Sequence, residues 1–275
     1  MRPEETVLFS DLDGTLFNAR GEISPENLAA IRQYMAMGGR FAIATGRHPD
    51  NALYYWPKAE TNAPSVVING AAVYDFNTGE YSHTAHVGRP GLDRMIRTVM
   101  EALPHADIQC YTRAGIRYVT PEATVDRRFL ELHHPYVFCL PEELAGEEVL
   151  KSLFYVPPEE EETLRELLAR GEGADYRIVP GTTDVGGIAT YYELLPAHTS
   201  KGTAITALRT HPALIGRTFF AVGDYWNDYE LLEAADIAVA PANAIDEVKA
   251  ICQYETASNN EHAIAHIIND LIPSL

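Results

Sequence analysis

Two short apolar runs near opposite ends of the chain stop in the same abrupt way, and they constrain the fold more than any other feature. Val7-Leu-Phe-Ser runs into Asp11-Leu-Asp-Gly14, and Phe219-Phe-Ala-Val runs into Gly223-Asp224. In a buried strand successive side chains face opposite ways, so two acids one residue apart fit only where the strand ends and the backbone turns over. Gly14 supplies that turn. Carboxylates held side by side repel and lose hydration unless a cation sits between them, which makes the tip of such a strand suited to a hard metal and a phosphate. The same residues also fit a plain capped turn in which Asp11 and Asp13 bond local amides.

The rest of the chain places these runs in a parallel sheet. Residues 6–10 read as a buried strand. Ser24 and Pro25 open a helix that Gly38-Gly39 stops, and residues 40–44 read as a second strand. A short helix from His48 to Tyr55 and a third strand at Ser65 to Ile68 follow. Residues 71–75 and 80–85 flank Asn77-Thr78-Gly79 as a hairpin, implying an antiparallel edge. From Val87 onward the pattern changes: a helix at Leu92 to Leu103, strands near 108–111 and 116–119, a helix at Val125 to Leu132, a strand at 152–156, a helix from Glu159 to Ala169, and strands at 176–179 and 188–194. The mixed order predicts an α+β insertion. The run Glu159 to Glu162 matches acids complementing a helix dipole, not a metal cluster. After Leu195-Pro196 the alternation resumes, with a helix capped by Thr199 or Ser200, strands at 218–222 and 237–240, and helices from Glu230, Ala244 and Glu261. The expected organisation is a discontinuous core, 1–86 and 195–275, interrupted by an inserted domain at 87–194.

Charge narrows the partners. The 39 acidic residues against 21 basic ones leave a net charge of −18, which opposes nonspecific attraction to nucleic acid or an anionic membrane. Small-molecule partners are expected, and an anionic one would need a local positive focus inside a repelling field. The three cysteines, Cys110, Cys139 and Cys252, lack the paired spacing of a zinc site or disulfide framework. With no signal-type stretch at the start and no run long enough to span a bilayer, a cytoplasmic protein is expected. Nothing in the sequence bears on oligomeric state. His262 and His266 lie four apart without a third metal ligand, so a polar helix face accounts for them.

Four segments complete the picture: Ser10-Asp-Leu-Asp-Gly-Thr, Ala44-Thr-Gly-Arg, Ser200-Lys-Gly-Thr, and Val222-Gly-Asp-Tyr-Trp-Asn-Asp. Three begin where an apolar strand ends, and ligands of open parallel sheets bind beyond the carboxyl ends of the strands. Asp11, Asp13, Thr45, Lys201 and Asp224 are therefore expected to converge.

In these four segments the chain resembles the haloacid dehalogenase superfamily of phosphohydrolases, in its Cof-type branch with a large cap between the second and third motifs. The resemblance implies an α/β fold, a Rossmann-like parallel-sheet core with an inserted α+β cap domain. It makes Asp11 the nucleophile and Asp13 the acid and base. It gives Mg2+ the Asp11 carboxylate, the Asp13 carbonyl and the Asp224 carboxylate, with Asp228 supporting them. Thr45 and Lys201 would bind phosphoryl oxygens, with Leu12, Gly46, Arg47 and Asn227 completing the phosphate and substrate contacts. The implied reaction is Mg2+-dependent hydrolysis of a small phosphorylated metabolite, most plausibly a sugar phosphate, by way of an aspartyl phosphate. A phosphomutase using the same aspartate pair, or a phosphometabolite-binding protein without turnover, are the alternatives. Two departures from the family pattern stand out. Pro241-Ala-Asn-Ala replaces the usual Met-Gly-Asn-Ala, which sets Asn243 aside, and Tyr225 and Trp226 are bulky for their loop.

Overall fold

A computed structural model of the 275-residue chain describes residues 1–122, 125, 130, 135–170, 176–181 and 190–275. Along the chain come β1 (Thr6–Ser10), α1 (Pro25–Ala36), β2 (Arg40–Ile43), α2 (Pro49–Tyr55), β3 (Ser65–Val67), β4 (Ala72–Asp75), β5 (Glu80–Thr84) and α3 (Arg89–Ala102). They are followed by β6 (Asp107–Thr112), β7 (Gly115–Tyr118), β8 (Tyr136–Phe138), β9 (Val149–Val156), α4 (Glu161–Ala169), β10 (Arg177–Pro180) and β11 (Thr190–Leu195). The last part holds α5 (Lys201–Leu208), β12 (Thr218–Val222), α6 (Tyr229–Ala234), β13 (Ile237–Pro241), α7 (Asp246–Lys249), β14 (Tyr254–Thr256), α8 (Ala263–His266) and α9 (Ile272–Ser274). The chain divides into two compact units, an outer one of Met1–His83 with Ser200–Leu275 and an inserted one of Thr84–Thr199. These divisions fall within a few residues of the 86/87 and 194/195 positions read from the sequence.

The outer unit is built on a five-stranded parallel sheet in the order β14-β13-β12-β1-β2. Every residue of β1 is buried, as a strand covered on both faces of a parallel sheet requires. Its even positions, such as Leu8, join Phe41, Ile43, Phe220 and Val222 in one apolar cluster with Ile31 and Tyr34 of α1. The odd positions, Val7 and Phe9, pack with Ala42, Phe219, Ala221, Ile205 of α5 and Leu231 of α6. Ser10 is in register with Ile43 on one side and Val222 on the other. That register brings the residues following all three strands to one edge of the sheet.

Local chemistry sets the element ends. Ser24 accepts a hydrogen bond from the Asn27 amide at 3.2 Å and caps α1, with Pro25 at the first helical position. The predicted hairpin forms, but with β3 it makes a separate three-stranded sheet, β3-β4-β5, joined to the main one through the parallel bridge Ala44↔Val66.

The inserted unit carries a six-stranded sheet, β10-β11-β9-β6-β7-β8, antiparallel apart from the β7–β8 pair. One face, with Ile108, Cys110, Phe154, Val156 and Leu194, packs on Leu92, Ile96 and Val99 of α3 and Leu164 and Leu168 of α4. The acidic run behaves as expected, as a 3-10 turn (Pro158–Glu160) leading into the first turn of α4.

Two local readings differ. The three-residue edge strands β8 and β14 lack an apolar run long enough to announce themselves, and they exist through pairing with β7 and β13. The expected terminal helix begins at Ala263, two residues later than read, because His262 before it adopts a left-handed conformation at φ 67°. The helix read over residues 125–132 falls largely outside the described residues. Among the described residues no helix is long and apolar enough to cross a membrane.

Candidate active site

Asp11 leaves β1 still extended, its amide donating to the Val222 carbonyl at 3.0 Å. The chain then makes a wide turn over Leu12–Leu16, closed by the Phe17 amide on the Leu12 carbonyl at 2.7 Å, with Gly14 at φ 73°. A Cβ at Gly14 would stand 2.4 Å from Asp224 Oδ2, so position 14 needs glycine both for its backbone and for its closeness to the fourth segment. The turn separates its side chains. Leu12 is buried in the core cluster, leaving its backbone to face the strand ends, whereas the Asp13 side chain is 55% exposed.

Lys201 opens α5 directly after its cap, Ser200, whose Oγ accepts from the Thr203 amide at 3.1 Å. The side chain is fully buried, and Nζ donates to Asp11 Oδ1 and Asp228 Oδ1, both at 2.7 Å. Asp228 is fully occupied by its neighbours. Its Oδ2 accepts from the amides of Asp224 and Tyr225 at 3.1 and 3.3 Å. Asp224 Oδ1 in turn accepts from Thr15 Oγ1 at 2.8 Å. Glycines permit this crowding: a Cβ at Gly223 would meet Asp228 Cγ at 2.4 Å, and one at Gly202 would meet the Glu230 carbonyl at 2.1 Å.

Carboxylate oxygens of Asp11, Asp224 and Asp228 lie within 4.8 Å of one another. Three carboxylates against one ammonium leave two negative charges in excess. Burial pushes the Asp11 carboxyl well above the ordinary range, and Asp228 adds to this while Lys201 pulls it back. Burial and Asp228 push Asp224 up to about 6, eased by Thr15 and Lys201. Burial alone would lower Lys201, but Asp11 and Asp228 outweigh it and hold the lysine charged. With Nζ at 2.7 Å from both acids, the charged pairing is the arrangement the contacts favour. The surplus acidity then falls on Asp11 and Asp224. A divalent cation would cancel it, and an all-oxygen donor set suits a hard ion. The residues present fit such a metal at Asp11 and Asp224, because both Asp228 oxygens are already engaged.

The second segment faces this cluster. Thr45 is buried, its amide donating to the Val66 carbonyl at 2.9 Å and its carbonyl accepting from the Asn69 amide at 3.0 Å. Ile68, Asn69 and Gly70 all have positive φ, at 54°, 52° and 92°. For the β-branched Ile68 this is a strained backbone, held by its amide on the Arg47 carbonyl at 3.1 Å. Gly70 lies against Ser200, where a Cβ would be 2.1 Å from the carbonyl oxygen, and Gly46 lies against Asn69. The strained turn thus braces both Thr45 and the start of α5.

Arg47 does not stand free at the rim. Its Nε and Nη2 donate to the two Asp13 oxygens, each at 2.7 Å, and Nη1 donates to Asn51 Oδ1 at 2.6 Å. The guanidinium lies over the Tyr55 ring at 4.4 Å. Burial would depress its basicity, but the Asp13 carboxylate more than offsets this and keeps it charged.

The structure brings Asp11, Lys201, Asp224 and Asp228 together, with Asp13 held by Arg47 and Thr45 bonded to Val66 and Asn69. Asn227 is exposed on the 3-10 turn Trp226–Asp228. Sequence reasoning missed Asn243: its Nδ2 donates to the Gly14 carbonyl at 2.8 Å and its Oδ1 accepts from the Asn259 amide at 2.9 Å. Asn243 braces the acid turn despite the altered loop around it. Asn51, Tyr55 and the strained Ile68-Asn69 turn were also missed; only Asn69-Gly70 at a strand end gave any signal. In the inserted unit, Arg117 pairs with Glu147 at 3.4 Å and Arg113 is exposed. His262 and His266 face Glu26 and Asp270 at 3.6 and 3.1 Å.

A family model described as haloacid dehalogenase-like hydrolase matches residues 8–268, and the chain belongs to that family. It is an enzyme of the phosphoric monoester hydrolase class. Among curated relatives, phosphatase YwpJ of Bacillus subtilis is 26% identical over 294 residues, spanning 95% of this chain and 98% of that protein. The 5-amino-6-(5-phospho-D-ribitylamino)uracil phosphatase YwtE of the same organism is 26% identical over 286 residues, spanning 95% and 96%. A Thermotoga maritima crystal structure shares the fold with a TM-score of 0.80 at 23% identity, covering 96% of both chains. A subclass IIB sugar phosphatase shares it at 0.77 and 21% identity, covering 97% and 98%.

Proposed function

We propose that this phosphatase hydrolyses a small phosphorylated metabolite, a sugar or sugar-alcohol phosphate, through an aspartyl phosphate on Asp11. The observation that carries the reading is the buried Lys201 ammonium held 2.7 Å from Asp11 Oδ1 and from Asp228 Oδ1. A buried cation against the attacking carboxylate offsets the repulsion between an anionic nucleophile and an anionic ester. The substrate class draws on the sugar phosphatase and the ribitylamino-uracil phosphatase among the similar proteins.

In the first step an Asp11 oxygen bonds to phosphorus as the ester P–O bond breaks, and Asp13 gives its proton to the departing alcohol. In the second, Asp13 takes a proton from water, whose oxygen bonds to phosphorus while the phosphorus–Asp11 bond breaks. Asp11 is regenerated and phosphate leaves. The Thr45 hydroxyl, Lys201, the Leu12 and Gly46 amides and Asn227 hold phosphoryl oxygens. Arg47 donates to both Asp13 oxygens at 2.7 Å, and it must release Asp13 for that side chain to take up the proton it gives to the alcohol. Asp11, Asp224 and the Asp13 carbonyl would hold Mg2+, which would supply charge neutralisation when bound.

A screen of phosphorylated metabolites, with and without Mg2+, on wild type and Asp11→Asn tests this. Phosphate release that requires Mg2+ and vanishes in the variant is expected. An isomeric phosphate ester in place of free phosphate, or release that survives the substitution, would refute the reading.

A further inference from the structure

The loop that holds Asp224 and Asp228 also presents an indole to solvent. Trp226 is 51% exposed, whereas the chain's other tryptophan, Trp56, is 7% exposed in the core. The exposed ring stacks on Tyr229 at a centroid distance of 6.3 Å and an interplanar angle of 24°. Beneath it the backbone is fixed by the two amides donating to Asp228 Oδ2, by the Asp228 amide on the Tyr225 carbonyl at 2.9 Å, and by the tight approach at Gly223.

Folding alone does not call for a large ring here, because half its surface stays in water and a small residue would leave the turn intact. The indole lies offset beside the Tyr229 ring with half its surface in water, which leaves area for a flat partner.

We infer that Trp226 is a specificity-determining residue that stacks on a planar heteroaromatic ring in the leaving group, so that the preferred phosphate esters carry such a ring. This rests on the phosphatase reading above. Stacking of a heterocycle on an aromatic side chain is worth roughly five- to a hundredfold in affinity.

The test compares kcat/KM for ribose 5-phosphate with that for nucleoside 5′-monophosphates, pyridoxal 5′-phosphate and flavin mononucleotide. Wild type is expected to favour at least one ring-bearing ester by roughly fivefold or more. Trp226→Ala brings that ratio close to one, and Trp226→Phe restores much of it. A ratio near one in wild type, or a ratio untouched by Trp226→Ala, overturns the inference while leaving the phosphatase reading intact.

A binding readout separates the two further. In Asp11→Asn, tryptophan fluorescence is quenched saturably by the preferred ring-bearing ester and not by ribose 5-phosphate, and Trp226→Phe removes the signal. Equal quenching by both ligands, or by neither, counts against stacking. Absence of phosphate release from every ester together with ring-selective quenching would refute the catalytic reading alone.

Discussion

In the outer unit Lys201 is fully buried, yet its ammonium touches Asp11 and Asp228 at 2.7 Å, and the second Asp228 oxygen takes two backbone amides. In the inserted unit Asp107 is also buried, 4% exposed, and among the described residues neither of its carboxylate oxygens has a hydrogen-bond partner. Its neighbour Gln109 lies outside hydrogen-bonding geometry, though near enough to draw the acid's affinity for protons down slightly. Burial dominates and pushes Asp107 up to about 7. The same sheet does pair Lys151 with Glu193 at 3.1 Å, so the unit is able to satisfy charge where geometry allows. Parallel strands gather their ends, and with them their charged residues, at one edge. A largely antiparallel sheet spreads polar side chains over a face, where a single acid can be left without a partner.

The contrast predicts different responses to mutation. Asp11→Asn should lower phosphate release by a factor on the order of 10⁴ or more, since loss of the attacking group removes the reaction's main route. Steady-state kinetics with a matched circular-dichroism spectrum checks it, and a loss below tenfold would remove Asp11 from the central role.

Lys201→Met leaves Asp11 and Asp228 buried without their cation. Unfolding in urea should show a loss of about 3–5 kcal/mol, the usual cost of breaking a buried pair from one side. A variant as stable as wild type would mean the ion pair is not what holds α5 against the strand ends.

Asp107→Asn should act in the opposite sense. The folded value of about 7 lies above the ordinary 3.8, so the folded protein binds more protons than the unfolded chain between those pH values. Stability is then fully present below about pH 4 and falls as pH rises towards 7, by on the order of 4 kcal/mol at most. Denaturation at pH 5 and pH 8 should differ less in Asp107→Asn than in wild type. Equal pH dependence in both would show that Asp107 finds a partner after all.

The smallest effect belongs to the metal. Saturating Mg2+ should raise stability by about 1–3 kcal/mol through binding to the native state. Asp224→Ala should abolish the gain, and affinity should weaken as pH falls through about 6, where Asp224 takes up a proton. A thermal shift that persists in Asp224→Ala would place the ion elsewhere.

Much of this was legible in the residues. The strand at Thr218–Val222 and the cap at Ser24 follow from apolar runs and capping chemistry, and three of the four segments meet because register places their strand ends together, while the fourth arrives at the start of α5. What stayed hidden depends on contacts between distant residues. The Arg47–Asp13 clamp joins two polar side chains that carry no shared pattern, and Asn243 reaches Gly14 through a loop whose sequence departs from the family's.

Acid-quenched enzyme offers the most direct test of the central claim that Asp11 and Asp13 hold different offices. With p-nitrophenyl phosphate and Mg2+, peptide mass spectrometry of Asp13→Asn should find one phosphoryl group on the peptide containing Asp11, retained because the base for the second step is missing. Asp11→Asn should carry none. Phosphate on another residue, or no phosphoryl enzyme in either variant alongside undiminished turnover, would contradict the account.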